Sequence, residues 1–301
     1  MVLVVGEILF DIFPAYRRLG GAPFNFAYHL KKLGIDTRFI SRIGQDESGR
    51  EIRDYIGRHG FHVDDIQIDA EHETGKVQVK LNPGGTPEFH IRPNAAYDFI
   101  RFDESVKALL DHRPALIYFG TLVQRTEIGF QTIQQMLSQK NSATHTLYDI
   151  NLRPGCYSEK IIAASLEKTD ILKLNHEELS VLSRLLGQKT GDRALVSNLF
   201  SAYGIESIVL TAGENGSEWH TEKEHRRIKP TGTMHIVDTV GAGDAYAAIV
   251  AWGYLLKWPI EKTLSLAGSF SAHICSIRGA LPADDEIYNR ILTMEGGSGE
   301  S

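Results

Sequence analysis

Cysteine is scarce in this sequence: Cys156 and Cys275 are the two among 301 residues, and no metal-type spacing joins them. That excludes a disulfide framework and fits a reducing compartment. Charge of one sign is lacking too. The chain has 32 Lys and Arg against 38 Asp and Glu, a formal net charge of −6. So mild a balance points to neither nucleic acid nor a membrane surface as partner. No apolar run approaches a membrane span, and Met1-Val2-Leu3-Val4-Val5-Gly6 enters a strand pattern at once with no basic leader. A cytoplasmic location is therefore expected. The 12 histidines are scattered without an H-E-x-x-H pair, so zinc is not expected. Internal repeats and chain-splitting linkers are missing, which leaves one large α/β domain, alone or with a small accessory piece.

What is present is alternation. Helices at 104–111, 126–138, 158–168, 176–186 and 192–203 interleave with strands at 115–119, 145–150, 171–174 and 207–210. Strands alternating with helices mean a parallel sheet covered on both faces. Upstream, 2–5 and 8–13 read as one buried strand that kinks at Gly6-Glu7 and carries Asp11. Gly20-Gly21-Ala22-Pro23-Phe24-Asn25 opens a helix with Phe26, Ala27, Leu30 and Leu33 on one face. A strand at 39–43 and a helix around Ile52, Tyr55 and Ile56 follow. The runs 74–81 and 88–91 flank Asn82-Pro83-Gly84-Gly85-Thr86 and read as a hairpin, a flap beside the main sheet. Flap edges are often covered by a partner subunit, which is consistent with a homodimer. Short antiparallel additions at 219–221 and 225–228 and helices at 245–256, 260–277 and 284–293 complete the chain. The tail at 294–301 reads as disordered.

Chemistry concentrates in Asp238-Thr239-Val240-Gly241-Ala242-Gly243-Asp244-Ala245-Tyr246. Two glycines and an alanine at a helix start leave backbone amides uncovered, an anion site at the positive end of the helix. Asp244 is either the cap of that helix or a base that takes a proton from a hydroxyl while the amides hold a phosphoryl group. Asp11 ends a strand or accepts hydrogen bonds from ligand hydroxyls; Asn25 caps its own helix or binds a sugar. In an open parallel sheet ligands bind beyond the carboxyl ends of the strands. Polar residues gather at those ends: Asp149, Asn151 and Arg153 after one strand, Asn175 and Glu178 after the next, Thr211, Gly213 and Gly216 after a third. Asn175 and Glu178 also have capping-box spacing. Arg153 can neutralise phosphate, Glu178 can hold Mg²⁺ through water, and Thr211 with Gly213 can cradle a diphosphate.

Together these motifs resemble the ribokinase-like (PfkB) family of sugar kinases. Gly20-Gly21-Ala22-Pro23, Asn25, Ala27, Gly34 and Gly44 match its N-terminal signature. Asp238 to Asp244 match its C-terminal signature, and Asn175 and Glu178 match its Asn-x-x-Glu motif. The resemblance covers nearly the whole chain. Gly6 to Asp11, Gly20 to Asn25 and Asp149 to Pro154 look most like fructokinases. It implies a three-layer α/β/α fold with a mostly parallel central sheet and a small β-strand lid. The kinase domain would span 1–293, with lid strands near 12–20 and 70–97. It implies ATP and Mg²⁺ as cofactors, a sugar as acceptor, and transfer of the γ-phosphoryl group to a primary hydroxyl, fructose giving fructose 6-phosphate.

Residue by residue, the resemblance makes Asp244 the general base and Gly241, Ala242 and Gly243 the anion hole. It places Asp11, Gly20, Gly21, Asn25, Asn151 and Arg153 around the sugar, with Arg153 also near the transferred group. Asn175, Thr211, Gly213 and Gly216 would line the nucleotide site and Glu178 would serve Mg²⁺. Asp238, Val240 and Gly279 correspond to a monovalent-cation (K⁺) site in many relatives. One departure is Ile249, where the family usually has glycine. Rival readings are a kinase for ribose, a nucleoside or 2-keto-3-deoxygluconate, and a non-catalytic sugar sensor on the same fold. An NAD-dependent oxidoreductase is weak, because Gly6-Glu7-Ile8 is not G-x-G-x-x-G.

Overall fold

A run such as Val2–Val5 (β1), buried at every position, is satisfied only inside a sheet covered on both faces. The computed structural model, which describes residues 1–81, 87–188, 191–229 and 236–296, places it there. The chain continues through β2 (Leu9–Ile12), β3 (Arg17–Gly20), α1 (Ala22–Lys32), β4 (Thr37–Gly44), α2 (Glu47–Arg58), β5 (Ile66–Asp69), β6 (Gly75–Leu81) and β7 (Pro87–Ile91). Then come α3 (Glu104–Asp111), β8 (Leu116–Gly120), α4 (Glu127–Gln139), β9 (His145–Asp149), α5 (Glu159–Leu166), β10 (Ile171–Asn175), α6 (His176–Leu185), α7 (Asp192–Tyr203) and β11 (Ser207–Thr211). The last elements are β12 (Ser217–His220), β13 (His225–Ile228), α8 (Ala242–Leu255), α9 (Ile260–Cys275) and α10 (Glu286–Gly296).

A nine-stranded sheet runs in the order β13-β12-β11-β10-β9-β8-β1-β4-β5, parallel from β11 to β5 with the β12–β13 hairpin antiparallel at one edge. Successive side chains of a strand point to opposite faces. Val2 and Val4 therefore pack with Phe24 and Phe26 of α1 and with Ala247, Val250, Ala267 and Phe270 of α8 and α9. Leu3 and Val5 pack with Val106, Ile133, Ile162, Leu179 and Leu195 on α3 to α7. The result is the expected three-layer α/β/α arrangement. A second, four-stranded sheet of order β3-β2-β6-β7 stands beside it as the small β lid.

Three expectations change. Segments 2–5 and 8–13 are not one kinked strand: the chain leaves the main sheet at Gly6 and enters the lid sheet at Leu9. A Cβ on Gly6 would lie 2.3 Å from Pro23 Cγ, so the start of α1 wedges against that departure point. The edge strand β5, Ile66-Gln67-Ile68-Asp69, was not foreseen; it is four residues long and half polar. The last helix extends to Gly296, past the expected boundary at 293, and 297–301 lie outside the described residues, as does the 82–86 turn. Ile249 is fully buried in the α8 core. The close approach of α8 to α9 falls instead at Gly253, where a Cβ would meet Thr263 Oγ1 at 2.3 Å. Among the described residues no helix is long and apolar enough to cross a membrane.

Candidate active site

From β1 the chain crosses to β4 on one side, and later returns through β8 on the other. Loops leaving the carboxyl ends of strands at such a reversal diverge and open a ligand crevice. A cavity of about 10 Å³ lies there, lined among others by Glu7, Pro23, Tyr118, Asp149, Asn151 and Arg153. That is room for about one water molecule. Asp11 and Asp244 are not among its lining residues. Glu7 Oε2 is buried without a partner among the described residues, and so is Asn25 Oδ1.

Helix α8 begins where Gly241 adopts φ 78°. A side chain there would be strained by that backbone, and its Cβ would lie 2.2 Å from Ala280 Cβ. The amide of Ala242 bonds to the Thr239 carbonyl at 3.3 Å, and no side chain caps the helix. The next amides, of Gly243 and Asp244, lie in the first turn, where a helix offers no acceptors of its own. Asp244 does not cap the helix. Its Oδ2 accepts a 2.8 Å hydrogen bond from Asn25 Nδ2 in the first turn of α1. Burial raises its carboxyl to about 6, against the Asn25 hydrogen bond and with the Asp149 charge adding to the rise. A carboxyl that ionises near 6 is a base available at neutral pH.

Beside Gly243 sits a group the sequence reading did not single out. Lys173 and Asp149 are direct neighbours in the register of β10 and β9, and Lys173 Nζ lies 3.0 Å from both Asp149 oxygens. A Cβ on Gly243 would lie 3.6 Å from the same ammonium. Burial opposes the Lys173 charge, but the Asp149 and Glu178 carboxylates outweigh it and raise the group. Tyr118 OH donates to Asp149 Oδ2 at 3.2 Å. The signal was available: a lysine inside the apolar run Ile171-Leu172-Lys173-Leu174 has to find a carboxylate. Glu7 was overlooked in the same way.

Asn175 and Glu178 form the capping box their spacing suggested. Asn175 Oδ1 accepts from the Glu178 amide and Glu178 Oε2 from the Asn175 amide, both at 2.8 Å. Glu178 Oε1 accepts from the Leu152 amide at 3.0 Å, tying α6 to the Asn151–Arg153 loop. Burial raises the Glu178 carboxyl, with Lys173 opposing. Asn151 takes a left-handed φ of 36°, and Arg153 is exposed.

Asp11 lies on the lid strand β2 against Gly20, whose Cβ would come within 2.8 Å of Asp11 Oδ2. Gly21 has φ 112°, and a Cβ there would strike the Glu7 carbonyl at 2.5 Å. Burial lifts Asp11 to about 6; Arg153 and Arg18 oppose, while Asp244 and Asp238 add. Asp238 ties its own loop to the segment after α9, accepting from the amides of Val240 (3.1 Å) and Gly279 (3.0 Å). Arg18 of β3 approaches Asp238 Oδ2 at 3.6 Å. Thr211, Gly213 and Gly216 sit farther along the sheet, with Thr211 Oγ1 3.5 Å from the Leu174 carbonyl. They connect to α8 through the next residue, Ser217, which accepts a 2.6 Å bond from Tyr246 OH.

Comparison with known proteins bears on the family and the fold. Residues 15–286 match the model of the pfkB family carbohydrate kinases. The chain is 26% identical over 308 residues to fructokinase-2 of Oryza sativa, covering 94% of this chain and 90% of that protein. It is 25% identical over 292 residues to 5-dehydro-2-deoxygluconokinase of Geobacillus kaustophilus, covering 93% and 86%. The structure of a fructokinase with bound ATP from Xylella fastidiosa superposes with a TM-score of 0.84 at 20% identity, covering 98% of both chains. With its match spanning nearly the whole chain and its fold shared with these structures, the protein belongs to the pfkB family of carbohydrate kinases.

Proposed function

We propose that this protein transfers the γ-phosphoryl group of ATP to a primary hydroxyl of a sugar, with fructose as acceptor and fructose 6-phosphate as product. The observation that carries the reading is Asp244: a buried carboxyl near 6, oriented by Asn25, in the first turn of a helix whose leading amides lack a cap. Asp244 accepts the proton of the attacking hydroxyl. The amides of Gly241 and Gly243 hold the transferred group, while Ala242, whose amide bonds to the Thr239 carbonyl, shapes the turn between them; the charge is met by the α8 dipole and by Arg153. Asp11 and Asn25 fix the sugar hydroxyls, and Asn151 the Arg153 loop. The lid sheet excludes water, which would otherwise compete as acceptor. Asn175, Thr211, Gly213 and Gly216 form the nucleotide side.

Mg²⁺ fits the donor set. Glu178 accepts one amide on each oxygen, so each keeps a lone pair for a metal-bound water. When bound, the ion neutralises phosphate charge. A resident K⁺ does not fit. Asp238, like Glu178, accepts one amide on each oxygen, but here the Arg18 guanidinium lies 3.6 Å from Oδ2 and 2.7 Å (Nη1) from where a Cβ on Gly279 would sit, so a positive charge already faces the carboxylate. The Asp238 loop here is held by an arginine.

One relative favours a second acceptor. The 5-dehydro-2-deoxygluconokinase similarity points to a sugar acid, whose carboxylate Arg153 could receive. A coupled ADP-release assay over fructose, ribose, a nucleoside and keto-deoxygluconates separates the cases. Fructose is expected to give the highest kcat/KM. A sugar acid leading the panel overturns the fructose assignment, and no turnover with any sugar leaves a binding protein on a kinase fold.

A further inference from the structure

The β12–β13 hairpin carries a cluster that none of the roles above uses. It lies away from Asp244: β12 runs antiparallel to β11, so His220 sits beside Ile208, near the opposite end of that strand from Thr211. His220 and His225 are direct cross-strand partners, and Glu218, two residues before His220, shares its face. Each imidazole places Nε2 3.0 Å from the same oxygen, Glu218 Oε2. The two rings stack 4.3 Å apart at 18°. The three candidate donor atoms lie within 4.8 Å of one another.

The chemistry of this set is specific. Arg227, across the ladder from Glu218, approaches the other carboxylate oxygen at 3.5 Å and leaves Oε2 to the histidines. Metal bonds of about 2.0–2.2 Å to nitrogen and oxygen give tetrahedral edges of about 3.3 Å, close to the 3.0 Å that separates each imidazole Nε2 from Glu218 Oε2. Two imidazoles and one carboxylate suit zinc, copper or nickel far better than magnesium or calcium. The Arg193 and Arg227 charges oppose a cation here.

We propose that Glu218, His220 and His225 form a binding site for a divalent transition-metal ion, with Zn²⁺ as the reference ion, and that the ion cross-links the two strands at the edge of the main sheet. A water completes the coordination, and each neutral imidazole carries its remaining proton on Nδ1. The scattered histidines gave no helical metal motif; the hairpin register is what brings two of them together.

The test uses the full chain after removal of metals with a chelator. Titration with Zn²⁺ is expected to show one equivalent bound and a rise in Tm that Mg²⁺ does not reproduce. Co²⁺ is expected to give the visible absorption of a tetrahedral N/O site. In Glu218→Gln and His225→Ala the affinity falls at least about tenfold and the cobalt band and Tm rise disappear, while sugar-kinase turnover without added Zn²⁺ stays at the wild-type level. Circular dichroism checks that both variants fold, and His225→Gln replaces His225→Ala if that variant does not. Absence of binding by the wild type in excess Zn²⁺ overturns the proposal. So does binding that folded variants retain unchanged, because the ion then sits elsewhere.

Discussion

At the scale of single residues, Asp244 bears most of the proposed chemistry, and its environment makes distinct predictions. Asp244→Asn keeps the size and the Asn25 contact but removes the base. Turnover is expected to fall ~10²–10⁴-fold with sugar affinity little changed, measured by steady-state kinetics beside direct sugar binding. Asp244 must be ionised to act, so kcat/KM should rise through about pH 6 and level off above it. The Asn25 hydrogen bond opposes the upward shift, so Asn25→Ala should move that acidic limb to higher pH in the pH–rate profile. Glu7 tests burial by itself. Burial lifts it from 4.5 to about 7, against its backbone hydrogen bond and Arg153. The folded state therefore holds the proton more firmly than the unfolded chain. Its contribution to stability is full below about 4.5 and is lost as pH rises through 7. Relative to Glu7→Gln, the wild type should lose roughly 3 kcal/mol across that window, read from denaturation midpoints at pH 4 and pH 8. These residues differed in how visible they were. Asp244, Asn25 and the glycines stand in short local motifs, because a helix start and its anion site are built from neighbours in sequence. Glu7 has no such frame, since its burial comes from α1 and from β8 and β9.

At the scale of elements, the β9–β10 pair shows what register adds. Lys173 and Asp149 are 24 residues apart, yet lie opposite each other because two parallel strands share one register across the α5 crossover. A pattern of apolar residues locates each strand but not its alignment, so Asp149 was legible at its strand end while Lys173, and the pairing of the two, were not. Lys173→Met removes the ammonium and leaves Asp149 buried with Tyr118 as its remaining side-chain donor. Unfolding should become easier by about 3 kcal/mol or more, measured as a shift in the urea midpoint, because an uncompensated buried charge costs more than the pair contributes. The same limit explains the sheet assignment of β2. Its apolar run identified it as a strand, but nothing in the run says which sheet a strand joins. The parallel strands β8 to β11 and helices α3 to α7 were legible nearly to the residue, since long periodic runs with capping residues at Asp103, Thr126 and Ser158 define their own ends.

At the scale of the whole molecule, the lid sheet and the body meet through Arg18. From β3 it reaches Asp238 in the loop that precedes α8, and it lies against Gly279. A long, partly exposed pair of this kind, at 3.6 Å, contributes little to global stability. Arg18→Ala should therefore leave Tm nearly unchanged while lowering kcat/KM by about tenfold, because the loop before α8, which carries the proposed anion hole, loses its contact with the lid. A Tm loss of several degrees would assign Arg18 a purely structural task instead. The connection between the two sheets has its own consequence. Gly6, Glu7 and Ile8 alone span the gap from β1 to β2, with Glu7 and Ile8 buried and Gly6 jammed against Pro23. Such a stub has no slack to pay out, so it works as a crank: any tilt of the small sheet has to turn the backbone that carries Glu7 and, four positions later, Asp11. Shutting the cleft and aiming its acidic groups are then one movement.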